Sequence, residues 1–252
     1  MLRKKQGAIE WLEFELLAEI PHLRHGVFLR HGGVSQPPFD SLNAGGGTGD
    51  LPEHAEQNRA LIQSAIGAKA LISERQTHSD ELALIKSTAD MKKEECDGLI
   101  TKEKELGLMI KHADCQAAIF YDPEHHALGV IHAGWRGQVK NIYAKTIAFM
   151  QNTFASSPDN LLVGISPSLG PQASEFIHYK NEFPPQFWDY QIKPNYFDLW
   201  EISRMQLQAA GILPHHIEIA GLCTYSEPSD FFSYRREKVT GRHATVAMLV
   251  HS

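Results

Sequence analysis

The 252-residue chain has only three cysteines, Cys96, Cys115 and Cys223. So sparse and odd a count cannot make a disulfide framework, and it suits a reducing compartment. No apolar run reaches the roughly 18 residues of a membrane-spanning helix, so none is expected. No apolar stretch follows the first basic residues either, because Glu10, Glu13, Glu15 and Glu19 interrupt it. A signal peptide is therefore not expected, and the expected address is the cytoplasm. Positive charge is also scarce: 24 Lys plus Arg against 30 Asp plus Glu give a formal charge of −6. That balance argues against a general nucleic-acid binder, which needs a basic footprint, but not against a local basic pocket for a small anion.

What is present is an ordinary globular composition, 42% apolar and 21% charged, on a chain long enough to bury a core without staples. Histidine stands out at 14 residues, which makes a metal or acid–base site worth seeking. The best linker candidates are Ser156-Ser157-Pro158-Asp159 and the Pro-rich stretch 181–194. Neither coincides with a shift in composition, so residues 1–252 read as one domain.

Hydrophobic patterning predicts strands over 11–17 and 27–31, the second ended by Gly32-Gly33. A helix is expected over 53–66, with Pro52 at its start. Short apolar runs predict strands over 70–72, 82–85, 99–101, 108–111, 117–121 and 127–132. A helix over 141–154, a strand over 161–165 and a helix over 199–210 follow, with Gly211 as the helix stop. Strands over 217–223 and 244–250 close the chain. Strands outnumber helices and cluster, which points to an α/β (mixed α+β) fold with mixed sheets flanked by helices.

The densest polar stretch is His112-Ala113-Asp114-Cys115, Asp122-Pro123 and His132-Ala133-Gly134-Trp135-Arg136-Gly137. It reads as a hairpin. With its centre between Pro123 and Glu124, Cys115 and His132 stand opposite each other on one face. A thiolate beside an imidazole suits Zn²⁺, or a nucleophile–base pair. The bland alternative is a buried cysteine and a satisfied core histidine. His78, in Gln76-Thr77-His78-Ser79, is a candidate third ligand, with His112 and His31 as competitors. Gly45-Gly46-Gly47 could cradle a phosphate through backbone N–H groups, or be a plain connection; it is neither a Walker A nor a dinucleotide motif. Arg30-His31-Gly32-Gly33 and Ser233-Tyr234-Arg235-Arg236 offer cations for carboxylate or phosphate.

Taken in order, several motifs resemble the YfiH family, also called the laccase-domain or multicopper polyphenol oxidase family. They are Arg30-His31-Gly32-Gly33-Val34-Ser35, Leu42-Asn43, Gln76-Thr77-His78, Asp97-Gly98-Leu99-Ile100-Thr101, Ala113-Asp114-Cys115, His132-Ala133-Gly134-Trp135-Arg136-Gly137, Gly164-Ile165-Ser166-Pro167-Ser168-Leu169-Gly170 and Ser233-Tyr234-Arg235-Arg236. The resemblance runs from about residue 26 to 250. It implies a single α/β domain with a zinc site at His78, Cys115 and His132, copper being the second candidate. It also implies purine nucleoside phosphorolysis and adenosine deamination. Family members have been described, too, as polyphenol oxidases and as editing factors for peptidoglycan precursors. The chain departs from the family pattern at Ser79, often Gly, and at Ala117, often Pro.

Three protein ligands would leave one position open, as catalytic zinc sites do. Phosphorolysis would place phosphate beside C1′ of the ribose, held by Arg30, Arg136 and the Tyr234-Arg235 segment, with Asn43 orienting sugar or base. For Arg136 and Arg235 the alternative is a loop lock through backbone carbonyls. Multicopper oxidation ranks low, because it needs many histidine ligands and the chain has no His-x-His pair. Two rivals remain: amide hydrolysis at a cell-wall precursor, and a non-enzymatic binding protein with a structural zinc clip, which would need a fourth ligand such as His112 or Asp114. The expected partners are a purine nucleoside and phosphate, with no nucleic acid and no membrane; oligomeric state is not readable.

Overall fold

The structure, a computed structural model, describes residues 1–90 and 95–251. Its strands are β1 (Leu2–Gln6), β2 (Ile9–Glu13), β3 (Leu23–Phe28), β4 (Ala70–Ile72), β5 (Leu82–Ile85), β6 (Gly98–Thr101), β7 (Leu106–His112), β8 (Gln116–Asp122), β9 (Ala127–Ala133), β10 (Leu162–Ile165), β11 (Gln191–Lys193), β12 (Tyr196–Phe197), β13 (Ile217–Ile219) and β14 (His243–Leu249). The α-helices are α1 (Glu15–Ala18), α2 (Pro52–Ile66), α3 (Trp135–Val139), α4 (Ile142–Phe154), α5 (Tyr179–Glu182), α6 (Leu199–Ala209) and α7 (Tyr234–Glu237).

Two six-stranded mixed sheets dominate, ordered β1-β2-β3-β14-β7-β4 and β13-β10-β8-β9-β6-β5. Their inner faces share one core: Val27, Leu108, Ile110 and Ala247 from the first sheet meet Ile119, Tyr121, Leu128 and Val130 from the second. On the outer face of the second sheet, Phe120 and Ile131 pack under Ile142, Tyr143 and Ile147 of α4 and Leu207 of α6. The first sheet's outer face carries Met109, Ala244 and Val246 against Ile62 and Ile66 of α2. The result is a four-layer α/β/β/α stack, the mixed α/β architecture expected. β8, β9 and β14 are buried along their whole length, because both faces are covered.

Local chemistry explains the helices. Pro52 opens α2 and Gly67, at φ 72°, closes it. Asn141 caps α4 by accepting from the Ala144 amide, and Asp198 caps α6 by accepting from the amides of Trp200 and Glu201.

Three expected strands need correction. Residues 11–17 split into the end of β2 and the start of α1; the Phe14 amide donates to the buried His25 Nε2 and turns the chain. The second strand runs Leu23–Phe28, not 27–31, since beyond Phe28 the chain bends into a loop in which Arg30 O accepts from the amides of Ser41 and Leu42. In place of 217–223 only Ile217–Ile219 is strand, followed by Gly221 at φ 65°. Both linker candidates fold into short elements, among them α5 and β11.

Candidate metal centre

The seam between the two sheets opens at one end onto the candidate site. His132 lies near the end of β9, on the inner face it shares with Leu128 and Val130. In the hairpin it stands opposite Ala117, not Cys115, because the turn is centred one residue further along. Asp122 sets that turn: its Oδ1 accepts from the amides of Glu124 and His125. Moving the centre by one residue shifts the pairing by two, so Cys115 keeps the face of Ala117 and stays beside His132. Cys115 sits on the bend between β7 and β8, next to Asp114 at φ 83°. His78, at φ 60°, comes from the loop between β4 and β5. Left-handed backbone is sparsely populated by non-glycine residues, and here it flanks or carries two of the three donors.

The ligand atoms of His78, Cys115 and His132 all lie within 4.8 Å of one another. Cys115 Sγ is 4.0 Å from His78 Nε2, and the two imidazoles stand edge to face at 4.9 Å. Bonds to a tetrahedral zinc would bring an S···N pair to about 3.6 Å, so the Cys115–His78 pair closes on such an ion with a shift of a few tenths of an ångström. Gly134 keeps the space open: a Cβ there would meet His78 Cδ2 at 2.9 Å and Cys115 Sγ at 3.2 Å. The group could therefore hold a metal ion.

Asp97 organises it. The carboxylate, fully buried just before β6, takes His132 Nδ1 at 2.8 Å, which aims Nε2 at the other two donors. It also accepts from the amides of Thr77, His78 and Ser79 and from Ser79 Oγ, so one side chain fixes both the histidine ring and the His78 loop. Ser79, a departure from the family pattern, thus contributes a further bond to this carboxylate. Burial would raise the Asp97 carboxyl, but the bonds from His132 and Ser79 outweigh it and hold it well below the usual carboxylate range. Burial likewise raises the Cys115 thiol, yet the adjoining His132 imidazolium pulls it below an ordinary thiol. Burial lowers His132, and the Cys115 thiolate and Asp97 outweigh it and raise it. Gln76 ties the His78 loop to β7 by a double bond pattern, donating to Lys111 O at 2.6 Å and accepting from its amide at 2.9 Å.

Above the group is a cleft of about 870 Å³. Arg136, Tyr234 and Arg235 line it, and Arg30 and Asn43 do not. Arg136 is exposed, with its guanidinium 4.3 Å over the Trp135 ring. Arg235 donates to the carbonyls of Ala173 and Glu175, and its amide donates to Asp114 Oδ2, so it locks loops as well as facing the cleft. Tyr234 is half-exposed under Arg242. Arg30 departs from its expected place: it bonds Asp40 O and Pro228 O beside a separate surface pocket. Asn43 is fully buried, with Oδ1 accepting from the amides of Gly45 and Arg242. His31 pairs with Asp230 and His112 with Thr245 Oγ1, so neither joins the donor group. The patterns gave no role to Asp97, Lys111 and Arg242. An aspartate ahead of a strand and single cations carry no period, and only the tertiary fold brings them to the cleft.

Mixed sheets in four layers, with a two-histidine, one-cysteine group at their seam and a cation-lined cleft above it, define the class of protein. The chain belongs to the family described as multi-copper polyphenol oxidoreductase laccase, whose family model matches residues 24–250. It is 30% identical to a purine nucleoside phosphorylase of Bacteroides thetaiotaomicron, over 95% of this chain and 96% of that one. It is 32% identical to purine nucleoside phosphorylase YfiH of Escherichia coli, over 88% and 91%. The crystal structure of Bacillus licheniformis YfiH superposes with a TM-score of 0.87 at 28% identity, covering 98% of each chain.

Proposed function

We propose that the chain is a zinc-dependent purine nucleoside phosphorylase with adenosine deaminase activity, acting as one catalytic unit over residues 1–252. The observation that carries this reading is the His78–Cys115–His132 group on the floor of a cationic cleft, in a chain similar along nearly its whole length to proteins named purine nucleoside phosphorylase.

His78, Cys115 and His132 would hold the metal. Two imidazoles and one thiolate make an ordinary donor set for a catalytic zinc. When bound, zinc supplies Lewis-acid polarisation of an oxygen on the reacting molecule. Asp97 keeps His132 in its ligating tautomer. Trp135 and Phe176, lining the cleft at a ring separation of 6.1 Å, offer aromatic faces to a purine. The cations neutralise phosphate and the charge on the departing base. Asp114 is the one carboxylate among the described lining residues, held by Thr224 Oγ1 and the Arg235 amide. Those bonds also keep Asp114 from acting as a fourth ligand, as a structural zinc clip would require. Laccase chemistry needs several coppers, and the described residues offer one donor group.

Zinc-loaded protein incubated with adenosine, inosine and guanosine, with and without phosphate, tests the reading when base and ammonia are followed separately. Phosphate-dependent base release, and ammonia from adenosine alone, are expected. Release of neither product contradicts the proposal. Ammonia without base removes the phosphorylase half.

A further inference from the structure

One part of the cleft has an unbalanced charge. Lys111 on β7 and Ala244 on β14 are register partners, so Lys111 shares the outer face of the first sheet with Arg242, just ahead of β14. Arg59 reaches the same place from α2. Each of these cations is at least partly buried, and each donates only to backbone carbonyls: Lys111 to Glu74 O, Arg59 to Ala44 O, and Arg242 to Thr240 O and Gly241 O. None makes an ion pair among the described residues. Arg59 and burial lower the Lys111 ammonium to about 8, burial being the larger cause. Glu74 acts on Lys111, Glu56 on Arg59 and Asp114 on Arg242 only from beyond ion-pair distance, and partly buried like charges without a paired counterion are costly unless a ligand supplies the opposite charge.

The chain between β3 and α2 completes the enclosure. Gly45, Gly46, Gly47 and Thr48 line the cleft beside Lys111 and Arg242. Gly47 has φ 73°, a Cβ on it would meet nothing within 4 Å, and a Cβ on Gly46 would meet Arg59 Nη2 at 3.2 Å. Gly46 and Gly47 are exposed residues, and their amides make no hydrogen bond among the described residues. Buried Asn43 holds this turn and Arg242 together, since its Oδ1 accepts from the amides of both Gly45 and Arg242. Its Nδ2 donates to Asp50 Oδ2 at 2.8 Å, which keeps that carboxylate turned to the scaffold.

We propose that Lys111, Arg242 and the 45–48 turn form the oxyanion subsite of the cleft, taking inorganic phosphate, with Arg59 as the cation behind it and Asn43 as the positioning residue. Ammonium, guanidinium and free amides together match a tetrahedral oxyanion. The assignment of phosphate as a co-substrate rests on the phosphorylase reading; the anion site itself rests on the charges and the turn. Arg30 has no part in it, because it lies outside the cleft and pairs with the Asp40 and Glu237 carboxylates.

The test measures phosphate binding by calorimetry on the zinc-loaded protein and its Lys111→Met and Arg242→Met variants, with Lys69→Met, on the surface and paired with Glu105, as control. Each cleft variant should weaken phosphate roughly tenfold or more, with nucleoside affinity in the absence of phosphate and zinc content held within about twofold. Unchanged phosphate affinity in the folded variants overturns the subsite. Should a variant not fold, phosphate protection of Lys111 from acylation in the unaltered protein, read by peptide mass spectrometry, decides the matter: protection supports the subsite and its absence overturns it. The two readings can fail separately. Phosphate bound through Lys111 and Arg242 without any base release keeps the subsite and removes the phosphorylase. Phosphate-dependent base release with an unaltered phosphate KM in both variants does the reverse.

Discussion

The two ends of the cleft balance charge by opposite means. At the donor end, His132 is matched by Asp97, and Asp97 is in turn saturated by the His78 loop. At the other end, Arg59, Lys111 and Arg242 are fixed by carbonyl oxygens, which orient a cation without neutralising it. Charge that is compensated within the chain sets geometry, and charge left over awaits a ligand. Arg235 is likewise oriented by two carbonyls, whereas Arg136 is stacked on Trp135 without a hydrogen-bonding partner among the described residues.

The sharpest way to break this comparison is Asp97→Ala. It strands the buried His132 and the amides of the His78 loop, and should cost about 3–5 kcal/mol of stability and lower metal affinity by roughly 10–100-fold. Denaturant titration and metal competition read the two effects. Asp97→Asn, which keeps the shape, should lose less stability but still weaken the metal. Full metal affinity in both variants would show that the donor group does not depend on its carboxylate.

Acidification gives the next effect. His25 and His243 are buried, and burial lowers both to about 4 despite their hydrogen bonds to the backbone. Their Nε2 atoms accept from the amides of Phe14 and Phe232, so a proton there would set donor against donor. The unfolded imidazole titrates near 6.5. The stability carried by these neutral rings is therefore complete above pH 6.5 and is lost as pH falls toward 4, by ~3 kcal/mol for each ring. His112, pushed well below its usual range by burial and by His243, adds to the same trend. Urea unfolding at intervals from pH 7 to 4 should show the decline, with a shallower slope in His25→Gln. Equal slopes would remove His25 from the account.

The smallest effect separates the two arginines. Arg235→Ala should cost about 1–3 kcal/mol through its lost carbonyl bonds, whereas Arg136→Ala should stay within about 0.5 kcal/mol. The reverse order, measured by urea unfolding, would contradict the loop-locking role of Arg235.

How much of this was readable from sequence follows the same division. The long helices and the central strands announce themselves through apolar periodicity, since burial dictates it. β1, Leu-Arg-Lys-Lys-Gln, is exposed along its length, and its cations suit an edge strand while erasing any apolar pattern. Residues 11–17 alternate as a strand does, but the Phe14–His25 bond ends that strand halfway. The donor residues were legible from their motifs. Their pairing was displaced by two residues, because a four-residue turn held by Asp122 cannot be centred from composition. Asp97, Lys111 and Arg242 acquire their roles only when β6, β7 and β14 converge on one seam. Arg30 and Asn43 show the opposite case: polar residues in suggestive motifs that do not line the cleft, their atoms held by backbone groups and by Asp40, Glu237 and Asp50.

The most direct test of the central claim is to titrate zinc into metal-free protein while recording phosphate-dependent base release from a purine nucleoside. The account predicts no release without metal, a rise to a plateau at about one zinc per chain, and no rise in Cys115→Ala. Full activity in the metal-free protein, or an unchanged titration in Cys115→Ala, would contradict it.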